Sequence, residues 1–87
     1  MKIVAMPIDT VVVFTKGRNP APYKFKFINQ EGQWEYVSVD KILETEKINF
    51  GGVPAILYRC QSKIKDRELR YELKYIIKEV RWELYKI

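Results

Sequence analysis

The chain contains no histidine among its 87 residues. That absence removes the usual general base, the Cys-His and Ser-His nucleophile pairs, and the commonest zinc ligand. A single cysteine, Cys60, excludes an internal disulfide and any cysteine-rich metal site. Its alternation with Tyr58, Ser62 and Ile64 reads as a small core residue. Long apolar runs are missing as well: nothing approaches the roughly 18 to 20 residues that span a bilayer. Pro7 and Asp9 also interrupt MKIVAMPIDTVVVF, where a signal peptide would need a contiguous apolar segment. The expectation is a cytoplasmic protein with no membrane, metal or cofactor to serve. Carboxylate pairs exist, Glu44 with Glu46 and Glu68 with Glu72, but each lies in a charge-rich stretch where a solvated face explains it. No enzyme is expected.

What is present points to a folded domain. Apolar residues make up 47% and charged residues 31%, inside the globular range and outside that of disordered chains. The length suits one core, so residues 1–87 are read as one domain.

The stretch YRCQSKIKDRELRYELKY, residues 58 to 75, fits either a helix or paired strands by apolar spacing alone. Charge separates the two. On a helix, Glu68 would neighbour Glu72, Arg70 would neighbour Lys74, Lys74 would neighbour Lys78, and Glu79 would neighbour Glu83, all of like sign. Folded instead about a two-residue turn at Lys65-Asp66 and a second at Lys78-Glu79, the segment sets Lys63 opposite Glu68, Arg59 opposite Glu72 and Lys74 opposite Glu83. Residues 58 to 86 are therefore predicted as a three-stranded antiparallel meander. Ile77 meets Val80 at its second turn. Tyr58, Cys60, Ser62, Ile64, Leu69, Tyr71, Leu73, Tyr75, Ile77, Val80, Trp82 and Leu84 form the core face, and the charged residues between them form a wet face.

The front half reads the same way. TVVVFT (10 to 15) is a β-branched run followed by the loop KGRNPAP, YKFKFI alternates strictly, and NQEG makes a turn. A strand then runs from Trp34 to about Leu43, with Glu44 to Phe50 continuing it after a bend, until Gly51, Gly52 and Pro54 break the chain. The fold class is all-β: six to seven strands in a strongly bent antiparallel sheet or small barrel.

At YRCQS (58 to 62), ELKY (72 to 75) and WELYKI (82 to 87), together with VVVF and DKIL, the chain resembles a family of small bacterial proteins of unknown function. The order of segments is also similar to small domains encoded beside or within genes for translesion polymerases. These resemblances imply a small all-β protein without assigned activity.

Charge supplies the functional signal. The net charge is +5, and from Thr10 to Gln30 Lys16, Arg18, Lys24 and Lys26 stand with no acidic residue among them. These four are the candidate nucleic-acid contacts. Strict alternation, however, sets Tyr23, Phe25 and Phe27 on the opposite side from Lys24 and Lys26, which removes an aromatic platform from the basic face. The favoured expectation is thus a protein-interaction module docking an unknown partner through Trp34, Tyr36, Ile76 and Tyr85; nucleic-acid binding through the basic first hairpin is the alternative. Ile76 and Tyr85 fall on the polar face of the meander, where the acidic 40s segment could cover them instead.

Overall fold

The computed structural model describes residues 1–87 and contains seven strands. They are β1 (Ile3–Val13), β2 (Ala21–Ile28), β3 (Trp34–Ser38), β4 (Lys41–Phe50), β5 (Val53–Ile64), β6 (Arg67–Ile76) and β7 (Arg81–Lys86). All pair antiparallel in the order β3-β2-β1-β7-β6-β5-β4. The two edge strands, β3 and β4, are consecutive in the chain and joined by only Val39 and Asp40. In a flat sheet six strand spacings would hold them roughly 29 Å apart. Three Cα–Cα steps cover at most about 11 Å. The sheet must therefore curl until its edges meet at one end, and it forms a half-barrel.

β1 is the fold line. Residues from Ile3 to Ile8 pair with β7, while Asp9 to Val13 pair with β2. Pro7 sits in the first portion, opposite Glu83 of β7. The short β1–β2–β3 sheet thus folds over the longer β4–β7 sheet, and the core lies between them. Phe25 and Val37 from the short sheet meet Tyr71, Leu73, Tyr75, Trp82 and Leu84 from the long one. Phe25 and Tyr71 have ring centroids 5.6 Å apart, and Trp82 stacks on Tyr75 at 4.8 Å.

A buried polar chain closes the end where the edges meet. Ser62 Oγ donates to the Ser38 carbonyl at 2.6 Å, and the Asp40 N–H donates to Ser62 Oγ at 3.3 Å. The single Ser62 proton is then used, so Tyr71, whose Oη is 2.5 Å away, is the donor to Ser62. Lys65 in the β5–β6 turn adds a 3.0 Å ion pair with Glu35 of β3. On the other side Tyr58 Oη donates to the Pro20 carbonyl.

The meander forms in the predicted register from Ile64↔Arg67 through Arg59↔Glu72, with Lys65 and Asp66 both at positive φ as a primed two-residue turn demands. Tyr75↔Trp82, Leu73↔Leu84 and Lys74↔Glu83 also pair as expected. The second turn differs. Ile77–Glu79 is a 3-10 turn, Val80 is left-handed at φ 50, and the ladder closes at Ile76↔Arg81. A four-residue connection replaces the two-residue one, so Ile77 and Val80 leave the core face and are 41% and 76% exposed.

Two further expectations are corrected. No single strand runs from Trp34 to Leu43: the chain breaks at Val39 and Asp40, where Asp40 is tied to β5 and the two flanking strands go to opposite edges. The second face of the meander is not uniformly wet. Glu72 and Glu83 are buried, because Arg59 and Lys74 pair with them and the stems of these side chains cover them.

A candidate nucleic-acid interface

β2 and β3 form a hairpin whose loop is built by Asn29. Its Oδ1 accepts the N–H groups of Glu31 at 2.9 Å and Gln33 at 3.0 Å, and its own N–H donates to the Gln33 carbonyl at 2.8 Å. That loop sets the register Ile28↔Trp34, Lys26↔Tyr36 and Lys24↔Ser38. Directly opposed residues share a face. Lys24 and Lys26 therefore stand on the same outer surface as Trp34 and Tyr36, which are 50% and 76% exposed.

A bulge adds a third ring. β1 pairs Val11 with Lys24 and Val12 with Pro22, so Tyr23 is the extra residue on β2. It is 60% exposed, whereas Pro22 and Phe25 on either side are buried. The expectation that Tyr23 shares the core face with Phe25 is thus overturned. Phe27 remains partly buried against the core, as alternation implies.

The surface holds a groove of about 440 Å³ whose outer-face lining is Asp9, Val11, Lys24, Lys26, Tyr36 and Ser38. Asp9 lies 3.9 Å from Lys26 and is 73% exposed, a geometry that neutralises the lysine only weakly. The Lys26 ammonium also sits 4.6 Å from the centre of the Trp34 ring. Lys16 and Arg18 lie beyond the strands in the exposed β1–β2 loop, where the Arg18 N–H donates to the Thr15 carbonyl at 3.0 Å.

Of the candidates proposed separately from the sequence as basic contacts and as aromatic docking residues, Lys24, Lys26, Trp34 and Tyr36 thus come together, Lys16 and Arg18 stay apart in their loop, and two others are covered. Ile76 is only 5% exposed and does not present itself to a partner. Tyr85 is covered from the 40s segment: Phe50 meets its ring edge-on at 5.6 Å, and Lys74 lies 4.5 Å from its centre. Lys74 is held there between the Phe50 and Tyr85 rings and by Glu83 at 3.5 Å, a packing of β4 onto β6 and β7 that has no local signal. Tyr23 was missed, although Pro22 inside a strand pattern is a recognised marker of a bulge.

Elsewhere the chemistry is quiet. Burial pushes the Cys60 thiol up to about 12, which keeps it protonated at neutral pH. No group of three or more Cys, Asp or Glu side chains gathers to hold a metal ion, and no helix is long and apolar enough to cross a membrane. No family model, no curated protein and no solved structure matches the chain. The resemblance carried by YRCQS, ELKY and WELYKI therefore gains no support, and the outer face of β1–β3 is read from its geometry alone.

Proposed function

We propose that the chain is a non-enzymatic, cytoplasmic nucleic-acid-binding module that works through the outer face of β1, β2 and β3. One observation carries the reading: the β2–β3 register sets Lys24 and Lys26 beside exposed Trp34 and Tyr36, with Asp9 as the only carboxylate lining the groove. Positive charge along a groove with accessible aromatic rings is the combination that single-strand-binding surfaces use. Without the shared face, Lys24 and Lys26 would be no more than a solvated surface.

A salt titration with fluorescently labelled DNA and RNA tests it. Binding should weaken linearly in log–log form as salt rises, because phosphate contacts release counterions. Lys24→Glu with Lys26→Glu should weaken binding similarly for unrelated sequences and make the salt slope shallower, since phosphate contacts carry no base information. Lys47→Glu, exposed on β4 at the opposite edge of the sheet, should have a smaller effect. Absence of affinity at low salt for any of these nucleic acids rules the reading out. It would leave the second reading, a protein-interaction module, which is favoured by the open edge of β3 beside Trp34 and Tyr36.

A further inference from the structure

We infer that the ligand of this face is a single strand whose bases stack on Trp34 and Tyr36 while Lys24 and Lys26 hold its phosphates, an inference that rests on the nucleic-acid reading and narrows it. Trp34 and Tyr36 are two residues apart on one side of β3, so their Cα atoms are spaced by about 6.8 Å along the strand. Base pairs in a duplex stack at about 3.4 Å and cover one another's faces. Neither ring could enter such a stack without unwinding it. An extended single strand separates its bases and exposes both faces of each, so alternate positions on β3 can take successive bases.

The lysines match this arrangement. Lys24 and Lys26 have the same two-residue repeat on β2, one strand spacing away, which gives a rail of charge parallel to a rail of rings. Tyr23 is exposed at the bulge on the lysine strand itself, next to Lys24. In the free protein Lys26 rests over Trp34 at 4.6 Å; a stacking base takes that ring face and the ammonium turns to the adjoining phosphate. β3 is an edge strand with no further strand hydrogen-bonded beyond it, and Trp34 and Tyr36 are 50% and 76% exposed.

The protein carries its own reporter. Of its two tryptophans, Trp82 is buried at 7% exposure and Trp34 is half exposed, so a stacking base quenches Trp34 alone. Three probes separate the possibilities: a short oligothymidylate, a hairpin duplex of matched charge, and heparin as a polyanion without bases. The single strand should bind tightest and quench the emission. Trp34→Phe should abolish the quenching while retaining most of the affinity. Tyr36→Ala should lower affinity for the single strand roughly five- to hundredfold, the range of one lost stack, and leave the salt slope unchanged. Tyr36 is 76% exposed, so this variant leaves the core intact. Equal affinity for duplex or heparin, or an unaffected Tyr36→Ala, overturns the stacking inference while the nucleic-acid reading stands; failure to bind any nucleic acid overturns both.

Discussion

The Asp40 carboxylate accepts the backbone N–H of Lys63 at 2.8 Å, tying the connection between the two edge strands to the end of β5 beside its turn into β6. The Asp40 N–H simultaneously donates to Ser62 Oγ. One residue thus fixes the place where β3 ends and β4 begins. Asp40→Ala removes a charged acceptor and leaves the Lys63 N–H to water. The expected loss is about 1 to 2 kcal/mol of unfolding free energy in a denaturant titration. Hydrogen exchange at Lys63 should accelerate by more than at the β5–β6 turn; unchanged exchange there would show that the strap does not hold the end of the barrel.

Leu73 is fully buried between Tyr58 on one neighbouring strand and Leu84 on the other. Leu73→Ala should cost roughly 2 to 5 kcal/mol through lost transfer energy and the cavity left behind. For a domain of this size that is a large share of the total stability. A loss below about 1 kcal/mol would contradict the burial of this position.

The meander was legible because two local rules agreed: alternation sorted the faces, and opposite charges fell across from one another at Arg59 and Glu72 and at Lys74 and Glu83. The shared face of β2 and β3 was legible in principle. Folding YKFKFI onto WEYVS about Asn29 sets Lys26 against Tyr36, so the aromatic partners of the lysines lie on β3 and alternation within β2 alone does not show them. The outward turn of Tyr23 breaks the alternation at a bulge, which depends on how Pro22 meets Val12 on a neighbouring strand. The burial of Ile76 and the packing of Phe50 on Tyr85 depend on curvature, and no nearby residue encodes them.

Val80 holds a left-handed conformation at φ 50 and ψ 47 while 76% exposed. A β-branched residue pays for that conformation in steric strain, and its side chain gains little from packing in return. Val80→Gly should therefore stabilise the protein by about 0.5 to 1 kcal/mol, the relieved strain exceeding the added entropy of the unfolded chain. Val80→Asn should act in the same direction by a smaller amount, since asparagine tolerates this region. Thermal melts of both variants check the order; a lower melting temperature for Val80→Gly would mean that the valine side chain makes a contact that outweighs its strain.

Alkaline pH should find the three buried acids of the core. Burial pushes the Cys60 thiol from 9.0 to about 12 and the Tyr58 phenol from 10.0 to about 12, and it raises Tyr71 as well. In the unfolded chain these groups release their protons near their ordinary values, while in the fold they keep them. The folded state then binds more protons than the unfolded state, so unfolding free energy falls as pH rises. Their contribution is complete below about pH 9, where both states hold the protons, and is lost progressively up to about pH 12. Chemical denaturation across that window should show a steepening decline, and Cys60→Ala should make its onset later. Cys60 should also resist thiol reagents at pH 8 until denaturant opens the barrel. A stability flat through pH 11, or rapid Cys60 labelling under native conditions, would mean that the interior admits water at Cys60.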